Sequence, residues 1–86
     1  MGKRFAFFYF MKNEPDKIRS VVPAHIAYWK GCNQKQYSGG PFSDRSGGLI
    51  TFEAESMERA TGIVMGDPFV TENLIEDRWI KEWVVE

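Results

Sequence analysis

His25 is the single histidine of the 86-residue chain, and histidine is the one side chain that ordinarily exchanges its proton near neutral pH. It lies in a segment whose apolar residues recur at helical spacing, with Ile26 and Trp29 beside it, so we expect partial shielding from water. An imidazole in that setting is suited to general acid–base catalysis. A histidine on a helix face that only bonds a backbone carbonyl would give the same pattern, and both interpretations stay open at this point.

Asp67 is the carboxylate best placed to assist such a histidine. It follows Gly66, which ends a predicted helix, and precedes Pro68, a residue type favoured in a first helical turn. Asp67 is therefore a predicted helix N-cap. If the predicted helices cover the same face of a sheet, its carboxylate can also reach His25, fix the imidazole tautomer and stabilise the charged ring. We take His25 and Asp67 as the candidate catalytic pair, with the N-cap alone as the alternative for Asp67.

Three aromatic residues and one further carboxylate are candidates for binding a substrate. Tyr9, Tyr28 and Phe42 could form the walls of a pocket, although aromatic residues more often pack in a core. Asp44 lies in a loop rich in serine and glycine, where aspartate usually stabilises a turn. The candidate substrate-binding residues are therefore Tyr9, Tyr28, Phe42 and Asp44.

The cysteine and histidine counts exclude several kinds of site. Cys32 is the only cysteine, so no internal disulfide can form, and with a single histidine we predict no metal site. The chain has no second histidine, and no other base neighbours Cys32 in the sequence. We therefore expect Cys32 to be an inert buried thiol rather than a nucleophile. Ser46, Gly47 and Gly48 lack the strand-to-helix context of a phosphate-binding loop. We expect no cofactor.

The composition predicts one small globular domain over residues 1–86, since 43% of the residues are hydrophobic and 27% are charged. Eleven basic against twelve acidic residues give a net charge of -1, so we expect no nucleic-acid partner. No apolar run is long enough to span a membrane. The run over residues 5–11 is followed by charged residues and not by a cleavage site. We expect a soluble, cytoplasmic protein.

The elements that would position these residues alternate between strands and helices. The order βαββαβ predicts an α+β, ferredoxin-like fold with a four-stranded antiparallel sheet. Ser20 and Ser56 are the predicted N-caps of the two main helices. The predicted strands span residues 4–11, 35–38, 49–54 and 75–85.

The first strand is apolar on both faces, whereas two helices can cover only one side of the sheet. About half of the aromatic side chains of the first strand would then share an uncovered face with part of the tryptophan-bearing last strand. An apolar surface of that size favours a homodimer packed sheet against sheet, a dimeric α+β barrel in which the candidate site opens into a shared cavity. The alternative is a twisted sheet partly shielded by the loop at residues 42–48.

Several stretches of the chain resemble the YciI-like, or YCII-related, domain family. In chain order they are the first strand at 5–11, Pro-Ala-His-Ile-Ala-Tyr at 23–28, Gly-Pro-Phe at 40–42, Asp44 with Gly-Gly-Leu at 47–49, Phe-Glu-Ala-Glu-Ser at 52–56 and Asp-Pro-Phe-Val at 67–70. The resemblance implies a ferredoxin-like dimeric α+β barrel and an active site centred on a histidine and an aspartate, which are His25 and Asp67 here.

The family also implies a range of activities. Some members resemble muconolactone isomerase or act in the dehalogenating degradation of aromatic compounds. Relatives often carry an arginine one turn before the histidine, where this chain has Val22, so that Arg19 or Arg45 would have to replace it. The resemblance thus implies a small cofactor-independent enzyme of isomerase, lyase or dehydrohalogenase type that acts on a small cyclic or aromatic-derived compound. The alternatives are a non-catalytic ligand-binding or interaction module and a cofactor-free quinol monooxygenase.

Overall fold

A computed structural model describes residues 2–86. Within this range the chain forms a ferredoxin-like α+β fold, with one short extra helix before the last strand. The strands lie in the order β2-β3-β1-β4 and every neighbouring pair is antiparallel, which confirms the predicted fold of the chain. The elements are β1 Lys3–Met11, α1 Pro15–Cys32, β2 Ser38–Pro41, β3 Gly47–Ala54, α2 Met57–Met65, α3 Pro68–Thr71 and β4 Ile75–Glu82.

β1 is a central strand, with β3 on one side and β4 on the other, and this position explains its apolar composition. Phe7 is paired with Ile50 of β3 and with Ile80 of β4. Phe5, Phe7 and Tyr9 are buried on the face that packs against the helices. Alternate residues of this strand therefore supply the centre of the core.

The first helix begins earlier than predicted, at Pro15 and not after Ser20. Proline suits a first helical turn because its missing N–H would have no partner there and its φ is already helical. The main chain is helical from this point, since the Ile18 amide donates to the carbonyl oxygen of Glu14 at 2.9 Å. The Ser20 hydroxyl donates to a carbonyl one turn back instead of capping the helix. The extra residues bring Ile18 onto the helix face that carries His25.

The outer strands also differ from the prediction. β2 is Ser38–Pro41 and not residues 35–38, because an edge strand can accept the glycines and the proline that suggested a turn. Its Gly39 is paired with Ile50 of β3. β4 ends at Glu82 and so is shorter than the predicted strand. The shift of β2 matters for the site, since this strand forms one wall of the cavity described below.

All three helices pack on the same face of the sheet. Trp29 of α1, Val64 of α2 and Phe69 of α3 are buried in one core together with Phe5 and Phe52 of the strands. Among the helices of residues 2–86, none has both the length and the apolar composition that a membrane span requires. Within residues 2–86, the opposite face of the sheet receives no helix.

That opposite face carries a group of aromatic side chains in mutual contact. Phe8 stacks on Trp79 of β4 with ring centroids 5.4 Å apart, and Phe10 lies 5.7 Å from Phe42. Trp79 is 42% exposed and Phe10 is 39% exposed. We call Phe8, Phe10, Phe42 and Trp79 the open-face cluster.

Candidate active site

Asp67 occupies the junction between α2 and α3. Gly66 ends α2, and the Asp67 carboxylate caps α3 by accepting a hydrogen bond from the backbone N–H of Phe69 at 2.8 Å. The N-cap prediction is therefore confirmed. Asp67 is also completely buried, with a relative exposure of 0%. A carboxylate needs several donors to be stable at such a position.

The remaining donors come from α1. His25 approaches the carboxylate with its Nδ1 atom, 2.8 Å from Oδ1 and 3.0 Å from Oδ2 of Asp67. The indole Nε1–H of Trp29 donates to Oδ2 at 2.8 Å. Trp29 lies one helical turn after His25, so the two side chains reach the same carboxylate from one helix face. Asp67 therefore both caps α3 and bonds to His25.

The network fixes the tautomer of His25. An ionised carboxylate only accepts hydrogen bonds, so the Nδ1 atom facing Asp67 must carry the proton. The ring stacks on Phe69 with centroids 4.1 Å apart and planes at 12°, and Tyr9 meets it edge-on at 6.3 Å. The side chain is only 13% exposed. In the neutral imidazole the lone pair then lies on Nε2, which has no protein hydrogen-bond partner in the described part of the chain, and this is the arrangement a general base needs.

A cavity of about 540 Å³ opens beside His25. One wall is an apolar ridge on α1, formed at four-residue spacing by Ile18, Val22 and Ile26. The opposite wall consists of the edge strand β2, Tyr37 directly before it, and the loop after it that contains Arg45. Besides His25 and the ridge, the lining residues are Tyr9, Met11, Lys30, Tyr37, Gly39, Gly40, Pro41, Arg45, Gly47, Ile50 and Phe69.

The position of this cavity differs from the sequence-based expectation. It lies between α1 and the sheet, on the helix-covered side, and not on the open face where a second sheet was expected to enclose it. The reason is that His25 belongs to the stripe of α1 that packs towards the sheet. His25 therefore does not line a cavity between two sheets.

Two tyrosines of the cavity are held in their neutral form. Burial, and after it the negative charge of Asp67, raise the pKa of the Tyr9 hydroxyl well above its ordinary value. The same two causes raise the pKa of Tyr37. A tyrosine hydroxyl is protonated at neutral pH even without such a shift, and the higher pKa extends this state into alkaline solution, so both hydroxyls can donate hydrogen bonds to an oxygen of a bound molecule.

Three of the six predicted site residues lie together and three lie elsewhere. Tyr9 joins His25 and Asp67, as described above. The Tyr28 hydroxyl donates to the carbonyl oxygen of Ile63, and its ring lines a separate surface depression beside α2. Phe42 belongs to the open-face cluster. Asp44 is exposed in the loop after β2.

Other residues of the site were not singled out in the sequence. Phe69 follows the Asp-Pro pair of the α3 cap, and its ring stacks on the imidazole. Trp29 stands four residues after His25, a spacing that could have identified it as a shared donor. Of the two arginines considered as replacements, Arg19 pairs with the exposed Asp16 at 3.0 Å, whereas Arg45 lines the cavity.

The YCII-related domain, as a family model, matches residues 5–84, which is nearly the whole chain. The chain belongs to this family. Uncharacterized protein YjpA of Bacillus subtilis (strain 168) is 48% identical to this YCII-related chain over 44 residues. That alignment covers 51% of each protein, so the match spans about half the length of this curated relative.

Two solved structures share the fold of this YCII-related protein. The first is 5-chloro-2-hydroxyhydroquinone dehydrochlorinase (TftG) from Burkholderia phenoliruptrix AC1100 in complex with 2,5-dihydroxybenzoquinone, with a TM-score of 0.80 over 94% of this chain and 93% of the other, at 23% identity. The second is a dimeric ferredoxin-like protein of unknown function from Thermobifida fusca YX, with a TM-score of 0.60 over 99% and 92% at 13% identity. At these identities the likeness shows the ferredoxin-like fold.

Proposed function

We propose that this YCII-related protein is a small enzyme that performs acid–base chemistry with His25 and Asp67. The observation that carries the proposal is the hydrogen bond between Nδ1 of His25 and a completely buried carboxylate, beside a cavity that the imidazole itself lines. A base held in one tautomer at the wall of a cavity is the arrangement expected for proton transfer.

In the proposed mechanism, Nε2 of His25 removes a proton from a carbon next to a carbonyl, or from a hydroxyl group. In an isomerisation the imidazolium then returns that proton to another atom of the same molecule. In an elimination a leaving group departs with its electron pair, so that the substrate loses the proton and the leaving group. Asp67 holds the ring in place and stabilises the imidazolium. Neither route needs an electron donor or acceptor, which supports a cofactor-independent reaction of isomerase, lyase or dehydrohalogenase type.

The walls of the cavity support a small cyclic or aromatic-derived substrate. Tyr9, Tyr37 and Phe69 present aromatic surface, and the ridge on α1 is aliphatic. Aromatic and aliphatic walls with a few polar groups are typical of sites for small organic compounds. The structural neighbour TftG, a dehydrochlorinase in complex with a benzoquinone, agrees with this class of substrate.

The test is an activity screen with chlorinated hydroxyquinols and unsaturated lactones, following chloride release and the absorbance of the products. We expect turnover by the wild-type protein and a loss of about 10²–10⁴-fold in His25→Gln, the range that positioned acid–base groups contribute. Lys17→Gln, an exposed change on the same helix, serves as the control. Activity that survives in His25→Gln would contradict the mechanism. Oxygen consumption with a quinol would favour a monooxygenase, and binding without turnover would favour a ligand-binding module.

We also propose that two copies pack with their open faces together. Besides the open-face cluster, Arg4 lies over the ring of Trp83 at 5.3 Å, and its Nε is buried without a hydrogen-bond partner in residues 2–86. An aromatic surface with an unpartnered donor is better suited to a protein interface than to water. The description of the Thermobifida fusca neighbour as dimeric agrees with a homodimer.

The dimer is tested by light scattering after size-exclusion chromatography. We expect a dimer for the wild type and a monomer for Trp79→Glu, because a carboxylate would be buried in the centre of the interface. Met57 is 43% exposed, close to the 42% of Trp79, but belongs to α2 on the other side of the sheet. Met57→Glu should therefore remain a dimer. A monomeric wild-type protein at micromolar concentration would contradict the proposal.

A further inference from the structure

The cavity beside His25 carries an excess of positive charge. Lys30 and Arg45 line it, and no carboxylate is among the residues of its wall. Asp67, the carboxylate bonded to His25, is buried behind the imidazole and already accepts three donors, and Asp44, next to Arg45 in the loop, accepts from the Ser46 N–H. Neither Lys30 nor Arg45 has an ion-pair partner within residues 2–86. Two unpaired cations in one cavity contrast with a chain whose net charge is -1.

The two cations lie on either side of His25. Lys30 is five residues beyond His25 on α1, about 7.5 Å farther along the helix axis. Arg45 belongs to the other end, because it also lines a neighbouring depression with Met11 and Ile18, near the start of α1. A molecule in contact with the imidazole therefore lies between the Lys30 ammonium and the Arg45 guanidinium. Both groups are at the ends of long side chains that can extend towards it.

The backbone of Arg45 is fixed by the loop around it. Its φ of 66° is left-handed, a conformation that a residue with a side chain adopts only when its surroundings impose it. The Arg45 N–H donates to the carbonyl oxygen of Phe42 at 2.9 Å. On the other side, the Asp44 carboxylate accepts from the backbone N–H of Ser46 at 2.9 Å, and Ser46 accepts from the Met11 N–H at 2.8 Å. The loop thus holds the Cα of Arg45 at the rim of the cavity, with Asp44 as a positioning residue.

We propose that the substrate of this site is an organic anion whose carboxylate is bound by Arg45. The planar guanidinium can give two parallel hydrogen bonds to a carboxylate, which a lysine cannot do. The ring of the anion lies along the ridge of Ile18, Val22 and Ile26, which places its far side next to His25. Lys30 adds a second, weaker attraction from the opposite end. The position of the reacting atom rests on the proposed function, whereas the binding of the anion does not.

The test uses benzoate as the probe and benzamide as its uncharged counterpart, with binding measured by isothermal titration calorimetry. We expect benzoate to bind more tightly than benzamide to the wild-type protein. Arg45→Gln should weaken the binding of benzoate about two- to fivefold and leave benzamide unchanged, since Arg45 is exposed and an exposed ion pair is worth about 0.2–1 kcal/mol, where 1.4 kcal/mol is a factor of ten. Lys30→Gln should have a smaller effect in the same direction.

Controls separate a specific contact from general charge. Lys17→Gln and Arg59→Gln remove a cation outside this cavity and should not change the affinity for benzoate. Asp44→Ala should weaken benzoate binding, because Arg45 loses its fixed position, and added salt should weaken benzoate but not benzamide. Equal affinities for the two probes, undetectable benzoate binding at millimolar concentration, or an unchanged affinity in Arg45→Gln would each overturn the proposal.

The two proposals fail in different ways. His25→Gln should keep the preference for benzoate over benzamide, since the imidazole does not hold the carboxylate. If His25→Gln also retains activity, the acid–base mechanism fails while the anion site stands. If Arg45→Gln leaves benzoate binding intact although His25→Gln abolishes turnover, the anion site fails while the mechanism stands.

Discussion

Replacing Asp67 by asparagine tests the hydrogen-bond network at the centre of the site. Oδ1 accepts from Phe69 N–H and Oδ2 from Trp29 Nε1–H, both at 2.8 Å, and His25 Nδ1 lies within 3.0 Å of each oxygen. An asparagine keeps one oxygen and presents an NH₂ group at the other position. Whichever way the amide is turned, a buried N–H group then faces another donor.

The expected loss of stability has two parts. A charge-assisted hydrogen bond is lost, worth about 1.5–3 kcal/mol, and one buried donor is left without an acceptor at a cost of about 1–3 kcal/mol. The free energy of unfolding should therefore fall by about 3–5 kcal/mol, in line with the effect of breaking a buried charged pair. For a domain of this size, a loss of 3 kcal/mol corresponds to a decrease in Tm of about 12 °C or more.

Urea unfolding followed by tryptophan fluorescence measures the change, with Asp16→Asn as the matched control. Asp16 also bonds to a basic side chain, Arg19, but both are exposed, so its replacement should change the free energy of unfolding by less than about 1 kcal/mol. Equal and small losses for Asp67→Asn and Asp16→Asn would refute the reasoning, because the buried carboxylate would then have no special role.

Two further predictions concern stability away from the pair. Gly47→Ala should lower Tm, since a Cβ at Gly47 would overlap the carbonyl oxygen of Tyr9, whereas Gly62→Ala, with nothing within 4 Å of the added methyl, should raise it. In alkali, burial raises the pKa of Tyr28 to about 12 and also raises the pKa values of Tyr9 and Tyr37. The unfolded chain therefore loses these protons first, so the free energy of unfolding should be level below about pH 10 and fall as the pH rises above it, as checked by urea unfolding at each pH. A midpoint that stays constant above that pH would contradict the stated burial of these tyrosines.

The sequence predicts the parts of the site that local chemistry determines. Gly66, Asp67 and Pro68 are the pattern of one helix end followed by the cap of another, and both features are present. The spacing of His25 and Trp29 indicates a shared helix face. The first strand is apolar on both faces although helices can cover only one of them, which likewise predicts a core face and an uncovered apolar face, and both are present in the structure.

The sequence does not predict the features that depend on how distant segments meet. Tyr28 and His25 are three residues apart on α1, yet Tyr28 turns towards α2 and bonds to Ile63. Phe42 follows β2 directly, and only the true register of that strand places it against Phe10 on the open face. Arg45 reaches the cavity because the loop after β2 folds back to β1. None of these contacts follows from periodicity or from local turn propensity.

The location of the cavity separates two features that the sequence had joined. The His25 cavity lies under α1, on the helix-covered side, and the open-face cluster lies on the other side of the same sheet. Dimerisation through the open face would therefore leave the walls of the cavity within one copy. It follows that Trp79→Glu should disrupt the dimer without removing any residue of the cavity.

The tautomer of His25 tests the central claim most directly. Because the chain has one histidine, a long-range proton–nitrogen NMR spectrum of labelled protein contains the signals of a single imidazole. At about pH 9, where an ordinary histidine is neutral, we predict a proton on Nδ1 and a free lone pair on Nε2. A spectrum dominated by the tautomer with the proton on Nε2, or an averaged spectrum of both forms, would show that Asp67 does not hold the ring and would contradict the account.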